Sequence, residues 1–116
     1  MKKTELKDFI KNIKEDKSFI DNCKMIYGDL PDVLKKILSY NDNDRFIENW
    51  RIVSKSEVLN PREVLQVDFK KEKLIPVIDM MDNDYLCYDL GEKAWTLFNI
   101  VDNVKFDPRK DIYEYI

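Results

Sequence analysis

Residues 74–100 read LIPVIDMMDNDYLCYDLGEKAWTLFNI, and this stretch decides the fold. Three apolar runs, rich in the β-branched and aromatic residues that strands favour, are the predicted strands: 74–78, 85–90 and 94–100. The polar segments at 82–84 and 91–92 contain residue types that favour turns. Pro76 lacks the N–H of a β-ladder, so we expect it at an edge or a bulge. Short turns between successive strands predict an antiparallel meander.

Upstream of this stretch, the apolar residues recur every three or four positions, which indicates amphipathic helices. The first helical run includes Phe9, Ile10 and Ile13, and the second covers residues 18–27. Gly28 is predicted to end the second helix in the left-handed conformation. The third helix opens at Leu30-Pro31, since proline fits a first helical turn, and residues 41–44 are a predicted turn.

The segment between the helices and the meander contains shorter elements. Residues 50–53 are a predicted strand, residues 54–59 a helical turn capped by Ser54, and residues 60–66 one or two further turns. Helices therefore come first and strands second. This order predicts an α+β fold, with N-terminal helices followed by a mostly antiparallel sheet that packs against them. The length of 116 residues suits one domain, 1–116.

The composition argues against most kinds of catalytic site. The chain has no histidine, so the commonest general base and metal ligand is missing. It has only two glycines, too few for a phosphate-binding or dinucleotide-binding loop. We therefore expect no catalytic residue, no cofactor and no metal site, and we predict that the protein is not an enzyme. A carboxylate-based hydrolase remains as an alternative, because paired acids can cleave glycosides or hold Mg²⁺.

The charge pattern favours a protein partner over nucleic acid. The net charge is −3, whereas phosphate binding requires clustered Lys and Arg. From residue 74 to residue 92 there are five acids and no base, a distribution that attracts a basic partner. These acids are also what the polar tip and the strand ends of an ordinary hairpin contain. Strand alternation predicts that Leu86, Tyr88 and Leu90 face the core and that Tyr85 and Asp89 face outward.

Other sequence features predict a cytoplasmic protein. Cys23 and Cys87 stand far apart among apolar residues, as reduced, buried thiols do. Mixed charge follows Met1 at once, so no signal peptide is visible. No stretch approaches the roughly 20 apolar residues of a membrane span, and no membrane partner is expected.

The order of several motifs resembles the SUKH superfamily. Leu30-Pro31 opens a helix that ends in an Asn-rich turn, and residues 50–54 followed by 57–59 are similar to that family's short strand running into a small helix. Residues 74–77, a turn and residues 85–90 resemble its central hairpin, where an Ile-Pro strand precedes a strand ending in aspartate. The resemblance covers residues 30–100. It implies that residues 107–116 correspond to a stub of the family's last helix.

The resemblance also implies a role. Bacterial SUKH proteins are chiefly immunity proteins that bind and neutralise a toxin, often a nuclease, while eukaryotic relatives are regulatory interaction modules. A basic toxin domain is thus the expected partner, and a regulatory or scaffolding module is the alternative. The predicted partner-binding residues combine acids that attract Lys or Arg with a tyrosine that contributes contact area: Asp79, Asp82, Asp84, Tyr85 and Asp89.

Overall fold

The computed structural model describes residues 3–40, 46–47 and 50–115, and these residues form an α+β fold. Its elements follow one another along the chain: α1 (Lys3–Lys11), α2 (Lys17–Tyr27), α3 (Asp32–Tyr40), β1 (Phe46–Ile47), β2 (Trp50–Ile52), α4 (Lys55–Leu59), α5 (Pro61–Leu65), β3 (Leu74–Asp79), β4 (Asp84–Asp89), β5 (Ala94–Asn99), β6 (Val104–Arg109) and a 3-10 helix (Ile112–Tyr115). The helices predicted after residues 17 and 30 and the order of helices before strands are confirmed. The turn predicted at residues 41–44 lies outside the described residues.

Local chemistry sets the ends of α2. The Asp16 side chain accepts a hydrogen bond from the Phe19 N–H at 3.2 Å, which satisfies a donor that has no partner inside the helix. At the other end, Gly28 has φ +86° and ψ −154°, and its N–H donates to the Lys24 carbonyl. This backbone conformation is essentially restricted to glycine. The prediction that Gly28 ends the helix with a positive φ is confirmed, although its ψ lies outside the left-handed helical region.

The six strands form one sheet in which every neighbouring pair is antiparallel and the spatial order is the chain order, β1 to β6. The predicted meander is therefore confirmed, and it extends by one strand on the C-terminal side. Pro76 lies at a shift in register between Pro76 and Ile78, as expected for a bulge. The implied stub of a last helix is wrong for residues 107–109, which belong to β6; residues 112–115 form the 3-10 helix.

The core lies on both faces of β3 and β4. Their side chains are almost all buried, although strand alternation sends successive residues to opposite faces. Phe69, from the segment between α5 and β3, packs edge-on against Tyr85 and Phe98, with ring centroids 5.3 Å and 5.7 Å apart. Tyr88 and Trp95 make an equivalent contact on the other face of the sheet, at 5.2 Å. The middle of the sheet is thus covered on both sides.

Candidate partner-binding site

The meander places the loops of alternate hairpins at the same end of the sheet. The β3–β4 loop and the β5–β6 loop share one end, whereas the β4–β5 loop lies at the other. Asp79, Asp82, Asp84 and Tyr85 therefore come together at the first end. Asp89 closes β4 at the opposite end, about 17 Å away along the strand. The five predicted contact residues do not form a single cluster.

Two carboxylates shape the β3–β4 loop. The Met81 N–H donates to Asp79 Oδ1 at 2.9 Å, and the Asp84 N–H donates to Asp82 Oδ1 at 3.4 Å. Met81 and Asn83 both have positive φ angles, 68° and 73°, which residues with a Cβ adopt only when the surroundings hold them there. The loop is thus a defined turn, and it leaves the Met81 side chain 60% exposed.

A second set of hydrogen bonds joins this loop to the next hairpin. Asn99 donates through Nδ2 to Asp84 Oδ1 at 2.8 Å, and its Oδ1 accepts from the Val101 and Asp102 N–H groups. The Ile100 N–H donates to the Asn83 carbonyl at 2.9 Å. The two loops therefore form one continuous surface. We call residues 79–84 and 99–104 the tip surface.

Arg51, on the neighbouring strand β2, partly neutralises the Asp79 carboxylate. Arg51 donates to both Glu57 carboxylate oxygens, at 2.6 Å and 2.9 Å, and to Asp79 Oδ2 at 3.3 Å. Hydrogen bonding to Glu57 raises the pKa of Arg51. Burial acts to raise the pKa of Glu57, but bonds from Arg51 and Ser54 outweigh it and hold this pKa below its ordinary value. The predicted Ser54 cap is confirmed, as part of a capping box with Glu57.

Tyr85 does not face outward as predicted. It is only 7% exposed, because Phe69 covers the sheet face on which the alternation places it. Burial, with a further contribution from the Asp79 carboxylate, raises the pKa of Tyr85 to about 12. Strand alternation predicts an outward Tyr85 only if one face of β4 is exposed, but both faces of β4 are covered. Tyr85 therefore supports the tip surface from below.

Asp89 is also buried, at 4% exposure, so its predicted outward orientation is wrong. Its Oδ1 accepts from the Gly91 and Glu92 N–H groups, and its Oδ2 lies 3.1 Å from Lys105 Nζ. These bonds organise the β4–β5 turn and satisfy the charge that strand burial would otherwise leave unpaired. The geometry assigns Asp89 a structural role at the far end of the sheet.

The tip surface contains residues that the sequence reasoning missed. Among the side chains that the structure describes, six large apolar ones are exposed, and four of them are on or beside the tip surface: Met81, Val101, Val104 and Phe106. Asp102 is exposed there as well. The signal for them was the alternation from Val104 to Asp107, which indicates another strand and hence another hairpin loop. The tip surface contains four aspartates and neither lysine nor arginine.

The thiols and the largest described groove lie outside the tip surface. Cys23 and Cys87 are free and buried, as predicted, and burial raises the pKa of the Cys23 thiol to about 11. Within the described ranges, no group of three or more Cys, Asp or Glu side chains is arranged to hold a metal ion. A groove of about 420 Å³ is lined by Phe9 of α1, Tyr40 of α3 and Ile13 from the segment between α1 and α2.

The fold and this surface together define a small α+β domain with an acidic and apolar candidate contact site. No family model, curated protein or solved structure matches the chain. Among the residues that the structure describes, no helix has the length and apolar character to cross a membrane.

Proposed function

We propose that this protein is an immunity protein that binds and neutralises a toxin through the tip surface, and that the toxin domain is basic. The observation that carries the proposal is the composition of this surface. Exposed Asp82 and Asp102 flank exposed Met81 and Val101, with no lysine or arginine in either loop. Asp79 and Asp84 lie beneath them, held by Arg51 and Asn99.

The two kinds of side chain contribute differently to binding. Unpaired carboxylates steer a basic partner toward the surface and raise the association rate, most strongly at low salt. Apolar side chains such as Met81 lose their contact with water in the complex and slow dissociation. An immunity protein benefits from both effects, because it must capture its toxin quickly and then retain it.

The immunity role is supported by the motifs that resemble the SUKH superfamily. They occur in the expected order between Leu30-Pro31 and residue 100, and the fold has the helices and antiparallel sheet that this resemblance implies. A nuclease toxin suits the tip surface in particular. Its active site is basic because it binds phosphate, and exposed Asp82 and Asp102, with half-buried Asp84 beside them, are complementary to that charge.

The proposal is tested with the proteins encoded by the genes that flank this one. Each is produced in bacteria with and without this chain, and growth and direct binding are measured. We expect one of them to stop growth alone, to bind this chain, and to be harmless when the two are co-expressed. Flanking proteins that do not inhibit growth, or a toxin that this chain neither binds nor neutralises, would contradict the immunity role.

A further inference from the structure

Strand β6 exposes apolar side chains on one face of the sheet. All six of its residues are exposed, and Val104 and Phe106 retain 49% and 40% of their accessible surface. Phe106 is in register with Leu97, which is itself only partly buried. Val101 precedes the strand in the β5–β6 loop and is 70% exposed. We call Leu97, Val101, Val104 and Phe106 the apolar stripe.

The charges at the tip end of the apolar stripe are negative, whereas Arg109, beyond its other end, is paired with Asp107 and Glu114. Val104 is in register with Asn99, which in turn is in register with Asp84, so this carboxylate lies on the same face of the sheet. Asp102 borders the stripe in the β5–β6 loop. Lys105 is the nearest base in the sequence, but alternation sends it to the opposite face, where it contacts Asp89 at 3.1 Å.

The backbone of β6 is poorly suited to pairing with another strand. Asp107 has φ 51° at a shift in register, and its carbonyl already accepts a hydrogen bond from the Tyr115 hydroxyl at 2.6 Å. Pro108 has no N–H to donate. Bulges and prolines of this kind protect sheet edges from pairing with other chains. A partner therefore contacts the side chains of the apolar stripe and adds no strand to the sheet.

A second copy of the chain is also a poor occupant. Two tip surfaces brought together would oppose aspartates with aspartates, and each chain carries a net charge of −3. Like charges at an interface oppose association. An occupant with an apolar centre bordered by lysine or arginine matches both the stripe and its surroundings.

We propose that the apolar stripe binds an amphipathic, basic segment of a partner protein, in which apolar side chains cover Val104 and Phe106 while flanking Lys or Arg side chains meet Asp82, Asp84 and Asp102. This inference rests on the proposed function, because it extends the tip surface along β6. It adds that the β5–β6 hairpin, and not the β3–β4 loop alone, governs how long the complex lasts.

The test uses a short amphipathic peptide of Leu and Lys, with Leu at helical spacing, and a matched peptide of Leu and Glu. Each is titrated into the isotopically labelled protein, and amide chemical shifts are recorded. We expect the Leu/Lys peptide alone to cause saturable shifts at Val101, Val104, Phe106 and Met81. Val104→Thr with Phe106→Ser is expected to weaken binding about tenfold, through faster dissociation.

The matched control is Met25→Ser, since Met25 is 85% exposed on α2 and lies outside the stripe. This variant is expected to bind as the wild type does, and circular dichroism verifies that each variant is folded. The inference is overturned by shifts that map to Met25 and Ile26, by an equal response to the Leu/Glu peptide, or by the absence of saturable shifts. Self-association that Phe106→Ser abolishes would make a second copy the occupant and would also overturn it.

These outcomes are separate from those of the proposed function. The Leu/Lys peptide binds the stripe whether or not a flanking gene encodes a toxin. Conversely, a toxin that binds with undiminished affinity to the Val104→Thr, Phe106→Ser variant would leave the immunity role intact and refute the stripe.

Discussion

Arg51 connects three separate parts of the chain. It lies on β2, forms a bidentate ion pair with Glu57 of α4, and contacts Asp79 at the end of β3. All three side chains are at least four-fifths buried, so each charge depends on its partners for the hydrogen bonds that water would otherwise supply. This network anchors the base of the β3–β4 loop.

Glu57→Gln is expected to lower the free energy of unfolding by roughly 2–3 kcal/mol at pH 7, because it leaves a mostly buried guanidinium incompletely paired. The folded-state pKa of Glu57 lies below its unfolded value. The stabilisation that ionised Glu57 contributes is therefore complete above its pKa in the unfolded chain, about 4.3. It is lost as the pH falls through its pKa in the folded protein. Urea denaturation between neutral and acidic pH should show wild type and variant converging at low pH.

Asp21→Asn serves as the control for this substitution. Asp21 is an exposed acid on α2, and its replacement is expected to change stability by less than about 0.5 kcal/mol at neutral pH. A loss that stayed constant from neutral to acidic pH in Glu57→Gln would show that the ionised pair is not its source.

At the scale of elements, Gly28 determines where α2 ends. Gly28→Ala is expected to destabilise the protein by about 1–3 kcal/mol, since φ +86° with ψ −154° is strained for any residue with a Cβ. No neighbouring atom lies within 4 Å of the added Cβ, so the cost is conformational. Thermal denaturation measures it.

Gly91→Ala is the matched variant in the β4–β5 turn. Its φ lies outside the left-handed range, and its Cβ would meet Asp89 Oδ1 at 3.4 Å, which is close to ordinary contact. We expect it to cost less than about 1 kcal/mol. Equal losses for the two alanine variants would mean that backbone strain is not what requires glycine at position 28.

The segment between α5 and β3 acts as a cover for one face of the sheet. Phe69 is fully buried there and contacts Tyr85 and Phe98, so Phe69→Ala is expected to cost about 3–5 kcal/mol. Phe106→Ala, on exposed β6, should cost less than about 1 kcal/mol. Chemical denaturation of both variants tests the contrast, and a small loss for Phe69→Ala would show that the segment does not seal the core.

At the scale of the whole molecule, acidic residues differ in how exposed and how paired they are. Asp89 is buried in the body of the sheet and paired with Lys105, whereas Asp82 and Asp102 are exposed on the tip surface, whose residues include no lysine or arginine. The net charge of −3 understates the negative electrostatic potential at the tip surface, because it sums the charges of the whole chain. Association with a basic partner is thus expected to depend on a few residues.

Asp82→Lys combined with Asp102→Lys is expected to slow association of the Leu/Lys peptide by about tenfold or more at low salt, with the difference shrinking as salt is added. Both positions are exposed, so the fold should persist. Stopped-flow mixing across a salt series measures the rate. Asp68→Lys, a reversal on an exposed residue outside the tip surface, should have a much smaller effect. Equal rates for wild type and the double variant would reject electrostatic steering.

Patterns between near neighbours in the sequence determined much of the fold: the helical spacing before residue 40, the Gly28 stop, the Ser54 cap and the turns of the meander. These depend on backbone preferences and on side chains a few positions apart, which a sequence displays directly. The resemblance to SUKH proteins and the immunity role stay predictions.

Only the tertiary structure decided which acids are available to a partner. Asp79 is paired with Arg51, 28 residues away, and Asp89 with Lys105, 16 residues away, whereas Asp84 is hydrogen-bonded to uncharged Asn99, 15 residues away, and keeps its charge. Likewise, Phe69 buried Tyr85, although the two are remote in the sequence. Burial and ion pairing are properties of contacts between distant segments, so the sequence identified the acidic residues while the assembled sheet selected those that remain free.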